Sequence, residues 1–424
     1  MHREAAILLA ATFALLAPAL GEAQASDASD LLAERADLEQ LLSLAQERNP
    51  ELLAEAHRVR AAGARAKTAG RLADPVLRYQ LWSAPLSRPW DAEMHMLGVE
   101  QELPAWGSRD ARIRAGQAEA RLTEHARQAR ALEVASSVKR AYFELHRADR
   151  EQEIRLEHVA LAQRVLELAR AQYPTGRVSQ QDVLRAGVER SKLQADLASL
   201  VQARASAAAL LNSLVGRPLD APLGPAGQRS PPLDPPGLEA LERALSARPE
   251  LRSADAAIER SEASLDATRQ EARWPAFMLG VDYMLNPRSE EKHGWAAMVS
   301  FNLPWLNPRH REQVEEAEST LAADRGTREA LLASARFQLR DALARLRSAR
   351  DTLSLIEREL LPQARQSYEA AETAFASAQG DALGLLDAER TYLQVRIDRE
   401  RALAQAWISL ADLERAAGLP VPLE

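Results

Sequence analysis

The residues best placed to hold an ion are Met94, His95 and Met96, a soft donor set if they met on one cation. On a strand, however, His95 points away from the face that carries Met94 and Met96, so the three do not converge and no metal site is expected. The 8 histidines are otherwise scattered, with no H-x-x-x-H pair on a helix. Aspartates and glutamates are plentiful, but they stand among arginines at helical spacing and read as i,i+4 ion pairs on solvated faces. There is no Gly-rich phosphate loop and no nucleophile motif. Cysteine is absent, which excludes disulfides, thiolate sites and cysteine nucleophiles. The net charge of −7 and the lack of Lys/Arg runs give no reason to expect nucleic acid as a partner. No cofactor and no enzymatic activity are expected.

The elements that position these residues fall into two kinds. In AFMLGVDYML, Phe277, Leu279, Val281, Tyr283 and Leu285 alternate with Met278, Gly280, Asp282 and Met284. In WAAMVSFNLPW, Trp295, Ala297, Val299, Phe301 and Leu303 alternate with Ala296, Met298, Ser300 and Asn302. Strict alternation marks a half-buried strand. The remainder of the 424 residues, with 46% hydrophobic, 27% charged and only 4% aromatic side chains, reads as long helices packed through small residues.

The chain is written twice. Asn49-Pro50-Glu51-Leu52 recurs as Arg248-Pro249-Glu250-Leu251, Leu103-Pro104 as Leu303-Pro304, and Gly216-x-Pro218 as Gly418-x-Pro420. Between the halves, 217–237 holds seven prolines and is expected to be an extended connector. The halves, 26–216 and 238–424, share one plan. A lead-in helix (about 37–72 and 238–272) is followed by two strands, about 75–83 with 94–103, and 276–285 with 295–303. Two long helical stretches follow, about 110–173 with 179–215, and 312–375 with 381–417. Some 60 residues of helix make a rod on the order of 90 Å. Leu193, Leu197, Leu200, Ala207, Leu211 and Leu214 have the spacing of a coiled-coil seam. Pro362 is expected to bend or break its helix. Residues 1–25, with an apolar stretch ending in Ala23-Gln24-Ala25, read as a secretory signal, and no later apolar run is long enough for a membrane helix.

Two arrangements would bury the apolar strand faces. The four strands could form a small sandwich packed on itself. Alternatively Leu77, Tyr79, Leu81, Leu97, Val99, Phe277, Leu279, Val281, Tyr283, Trp295, Val299 and Phe301 face lipid, and Arg78, Gln80, Glu100, Glu102, Asp282 and Asn302 line water. Trp82, Trp274, Trp295 and Trp305 would then suit an interfacial girdle. An open sheet edge is not tolerated in hydrocarbon, so that reading forces oligomerisation, to eight or twelve strands.

With its signal, repeat, paired strands and long helical hairpins, the chain resembles the TolC-type outer membrane factors. YPTGRVSQQDVLRAGVE (173–189), VEQELPAWGSRDAR (99–112) and LLDAERTYL (385–393) carry the likeness, which covers nearly the whole mature chain. The NPEL/RPEL openings, QELPAWG and GRVSQQDVLRA look most like the heavy-metal cation branch. The resemblance implies a mainly α protein with a small membrane β-barrel portion. Four strands per chain would contribute to a trimeric twelve-stranded barrel, and helical hairpins to a periplasmic tunnel. It further implies an outer-membrane location and, as partners, a periplasmic adaptor and an inner-membrane resistance-nodulation-division pump. Gly176, Arg177, Ser179 and Gly380 become candidates for the adaptor-docking tips. Ser179 and Asp381 can cap the return helices, and Ala378 stands where the family has a turn glycine. Members often close the tunnel with acids three apart; here Asp387 keeps one position, Gly384 replaces the other, and Asp182 is its first-half counterpart. Asp387, Asp182 and Asp381 are the candidate entrance residues. Remaining alternatives are a duct of the same build for organic solutes or type I secretion, and a periplasmic coiled-coil scaffold without membrane contact.

Overall fold

A computed structural model of the protein describes residues 32–84, 86–88, 92–175, 179–227, 237–287, 290–377 and 382–418. The expected signal segment and most of the second half of the Pro-rich connector lie outside them. The elements in chain order are α1 (Leu38–Arg48), α2 (Pro50–Thr68), β1 (Val76–Trp82), β2 (Met94–Leu103), α3 (Ser108–Gln172), α4 (Gln180–Leu214), α5 (Leu238–Ala244), α6 (Pro249–Arg273), β3 (Phe277–Leu285), β4 (His293–Phe301), α7 (Arg309–Leu355), α8 (Leu361–Ala376) and α9 (Ala382–Ala417).

The expectation of undivided lead-in helices is corrected, and the interruption expected at Pro362 takes the form of a π turn just before it. Each lead-in helix is divided just before a proline, because the residue preceding proline is driven out of the α region. Asn49 is extended (φ −61°, ψ 123°), as is Arg248 (φ −60°, ψ 128°). Asn49 makes the break stable: its Oδ1 accepts from the backbone N–H of Glu51 (2.9 Å) and Leu52 (3.1 Å), and its Nδ2 donates to the Leu214 carbonyl (2.8 Å). At Pro362 the helix continues through a π turn, Ile356–Leu360, in which the N–H of Leu361 reaches back to the Ile356 carbonyl. Widening the turn by one residue accommodates a proline that cannot donate and whose ring would crowd the preceding turn.

The described chain forms two compact units. The first comprises residues from Met1–Leu53, Arg130–Leu245 and Arg336–Glu424. Its core gathers Leu38, Leu41, Val138, Tyr142, Leu145, Leu211, Val215 and Trp407. The Phe143 ring lies 4.9 Å from Trp407, and the Tyr142 hydroxyl donates to the Gly227 carbonyl at 3.1 Å. Gly216 closes α4 at φ +68°: the N–H of Arg217 reaches the Asn212 carbonyl (2.8 Å) and that of Gly216 the Ser213 carbonyl (3.2 Å), a Schellman ending. Its repeat partner Gly418 ends α9 at φ +73°.

The second unit comprises Ala54–Ala129 and Ser246–Ala335. Its arginines and acids form cross-helix pairs as well as the expected pairs along one helix. Arg114 meets Asp266 and Arg121 meets Glu259, between α3 and α6. Arg269 meets Glu318 (2.6 Å) and Glu262 meets Arg325 (2.7 Å), between α6 and α7. Within each set the steps are seven residues, the repeat that keeps a seam facing its neighbour in antiparallel coiled helices. The four strands make one antiparallel sheet in the order β1-β2-β3-β4, so the halves join edge to edge at β2–β3. β4 begins at His293, two residues earlier than expected, and ends at Phe301.

Candidate functional site

The register aligns the alternating residues into rows. Tyr79, Leu97, Tyr283 and Trp295 cross all four strands in one row, and Leu77, Val99, Val281 and Ala297 in the next. Leu279 pairs with Val299, and Phe277 with Phe301, their rings 5.8 Å apart. The twelve apolar residues singled out in the sequence therefore share one face, and their exposure runs from 37% at Leu81 to 76% at Trp295. The alternative of a sandwich packed on itself is not realised, because a single sheet has no facing partner. What remains is a large uncovered apolar surface, which marks an interaction site. Its two ends are aromatic: Tyr79, Tyr283 and Trp295 towards the hairpin loops, and Phe277 and Phe301 towards the helices. The two halves repeat one detail there. The Tyr79 hydroxyl meets His95 Nδ1 (2.7 Å) as the Tyr283 hydroxyl meets His293 Nδ1. A nine-residue strand such as β3 spans about 30 Å. Tilted by about 40°, it covers roughly 23 Å, close to the ~25 Å apolar band of outer-membrane barrels.

The opposite face is polar at its centre. Arg78 on β1 donates from Nη2 to both Asp282 oxygens on β3 (3.1 and 3.3 Å) and lies 2.6 Å from Glu100 Oε1. It reaches over the intervening strand because position 98 is glycine: a Cβ there would stand 2.0 Å from Asp282 Oδ1. The alternation names these three residues as polar, while the bridge itself depends on a cross-strand register that no local pattern records.

At the turns of the helical hairpins the candidates separate. Gly176, Arg177, Gly380 and Asp381 lie outside the described residues, as does Ala378. Ser179 is the N-cap of α4. Its Oγ accepts from the Asp182 N–H (3.2 Å), and the Asp182 carboxylate accepts from the Ser179 N–H (3.2 Å) and hydroxyl (2.6 Å). Asp182 thus completes a capping box, and the Ser179 hydrogen bonds hold its carboxyl below the usual range. Asp387 is exposed on α9.

Sequence reasoning passed over Glu389, two residues beyond Asp387. Burial pushes its carboxyl up, Arg164 opposes the shift, and Glu372 adds to it. Beside it Tyr368 and Tyr392 stack nearly parallel at 5.8 Å, and the Arg396 guanidinium lies 5.8 Å from the Tyr392 ring. The three-residue step from Glu389 to Tyr392 puts both on one helix face and is the signal that could have found them. Among the described residues there is no group of three or more His, Asp or Glu disposed to hold a metal ion, and no helix long and apolar enough to cross a membrane.

Solved structures show the same fold. A membrane protein from Pseudomonas aeruginosa is 20% identical, with a TM-score of 0.77 over 90% of each chain. CusC is 21% identical, with a TM-score of 0.77 over 90% of this chain and 92% of that one. VceC from Vibrio cholerae is 19% identical, with a TM-score of 0.75 over 90% and 96%. No match was found among curated proteins. The profile of the family described as Outer membrane efflux protein matches residues 41–217 and again 240–419, once in each half. The chain therefore belongs to the outer membrane efflux protein family, whose members are channels and not enzymes.

Proposed function

We propose that the protein is the outer-membrane exit duct of a tripartite pump. Three copies join their sheets into a twelve-stranded barrel, while the helical hairpins extend into the periplasm to meet an adaptor and an inner-membrane resistance-nodulation-division pump. The observation that carries this reading is the uncovered apolar face of a sheet whose outer strands, β1 and β4, pair on one side only among the described residues. In hydrocarbon every backbone group must be satisfied, and closing the sheet with neighbouring copies does so. A periplasmic scaffold without membrane contact would leave that face in water.

The cargo is a heavy-metal cation. This part rests on the NPEL/RPEL, QELPAWG and GRVSQQDVLRA stretches; the likeness to CusC is no greater than that to the other channels and does not bear on cargo. The test is the oligomeric mass of the mature protein and its dependence on detergent. A trimer released only by detergent is expected, whereas a monomer released by osmotic shock would overturn the duct. Deletion is expected to sensitise cells to metal salts and not to dyes or detergents; the reverse pattern would make organic solutes the cargo.

A further inference from the structure

Of the 6 methionines, Met1 falls in the expected signal segment and the other five all lie on three of the four short strands, β2, β3 and β4. The long helices carry none, although methionine is a good helix former and an ordinary core filler. By register all five also lie on one face of the sheet, the face of Arg78, Glu100 and Asp282. Met96 on β2 and Met284 on β3 are direct cross-strand partners, which sets their Cβ atoms about 5 Å apart. Met94 stands two residues along β2 from Met96, on the same face. Met278 pairs with Ser300, and Met298 is two residues from Ser300 on β4, a diagonal pair within reach of long side chains. The Met298 methyl lies over Gly280 beside Glu100 Cγ, at 3.3 and 3.2 Å from where a Gly280 Cβ would be.

We propose that this face binds soft monovalent cations of the copper(I) or silver(I) type. Met94, Met96 and Met284 supply thioethers near the hairpin loops, and Met278 and Met298 near the helices. The proposal rests on the duct reading, in which this face lines the lumen. Thioethers select soft cations, while zinc, cobalt and magnesium call for imidazole, carboxylate or water. The carboxylates of Asp282 and Glu100 are engaged by Arg78, Glu102 stands opposite Met278 and away from Met94, Met96 and Met284, and His95 and His293 lie on the other face against Tyr79 and Tyr283. Neutral ligands repeated along the strands bind weakly at several places, as conduction requires of a pore that must also release its ion. The tripeptide Met94-His95-Met96 is thus no site by itself. Its two methionines act with a third from the other half of the chain.

The absence of cysteine makes the test direct, because sulfur around a bound metal must be methionine. The mature protein in detergent is loaded with silver(I) in chloride-free buffer, and X-ray absorption at the silver edge and equilibrium dialysis are recorded. The same is done for Met94→Leu/Met96→Leu/Met284→Leu, replacements close in volume that keep the face apolar. Expected are sulfur scatterers in the wild type, their loss or reduction in the variant, binding weakened roughly tenfold, and no displacement by excess zinc(II). Nitrogen and oxygen scatterers alone, or affinity unchanged in the variant, would overturn the inference. A variant that no longer assembles is replaced by Met278→Leu/Met298→Leu, read by the same criteria. Mass and detergent dependence are measured on the same preparation. A trimer without sulfur-bound silver defeats this inference and leaves the duct, and a detergent-independent monomer defeats the duct itself.

Discussion

Glu151 is the most enclosed acid on the long helix α3, with 1% of its side chain exposed. Burial pushes its carboxyl up, but hydrogen bonds from Arg401 (2.9 and 3.0 Å) and Arg147 (2.7 Å) outweigh it and hold the group below the usual range. Removing Arg401 leaves a buried carboxylate with half its partners, so Arg401→Ala is expected to cost about 2 kcal/mol in thermal or denaturant unfolding. His146 is the contrary case. It is 2% exposed and packed edge-on to Trp407 at 5.1 Å, and burial depresses its basicity; Glu400 and Asp149 oppose the shift, and Arg150 assists it. His158 is buried and depressed for the same first reason. A histidine whose folded value is lowered takes up its proton more readily when unfolded. Its stabilising effect is therefore complete above the ordinary value of 6.5 and is lost as pH falls below it. The midpoint of unfolding is expected to drop between neutral pH and the folded value, with a shallower slope in His146→Leu. An identical slope in the variant would assign the pH dependence elsewhere.

At the scale of elements, the sheet discriminates between neighbours in sequence. Val299 and Ser300 are adjacent and both exposed in the single chain, yet they point to opposite faces. Val299→Arg is expected to cost about 2–4 kcal/mol if it must sit at the bilayer midplane and to abolish outer-membrane trimers on gels, whereas Ser300→Arg should assemble normally. Equal assembly of both would mean that the apolar face does not meet lipid. Glycines show a comparable contrast. At Gly216 a Cβ would stand 2.7 Å from the Arg48 carbonyl and φ is positive, so Gly216→Ala is expected to destabilise by about 1–3 kcal/mol. Gly187, within α4, has nothing within 4 Å, and Gly187→Ala should stabilise by roughly 0.5–1 kcal/mol. Unfolding midpoints of the two variants, shifted in opposite directions, are the check.

For the whole molecule, the duplication makes two similar sets of parts, and assembly of three copies would triple any charge at the tunnel end. Asp387 is exposed near the end of its hairpin. In the proposed duct it forms a ring that attracts cations, so Asp387→Asn is expected to lower cation selectivity in planar-bilayer recordings without changing trimer yield. Unaltered selectivity would return Asp387 to the role of a solvated helix acid. Glu389, half-buried beside the stacked Tyr368 and Tyr392, is the second position to test in the same recordings.

Periodicity was enough to read the long helices and the strands, because each follows from side-chain spacing within a few turns or a few residues. The apolar face of the sheet was legible in full, since alternation assigns faces before any partner is known. The repeat is visible locally: Asn49 and Arg248 are both extended before a proline, and Gly216 and Gly418 both end a helix at positive φ. What local spacing does not carry is pairing between distant segments. That Arg78 would reach Asp282 across Gly98, that Glu151 would be held by Arg401, and that Met96 would stand against Met284 depend on register between β1, β2 and β3 and between α3 and α9. Those contacts close over some two hundred residues of chain, and only the folded arrangement of strands and helices selects which side chains meet.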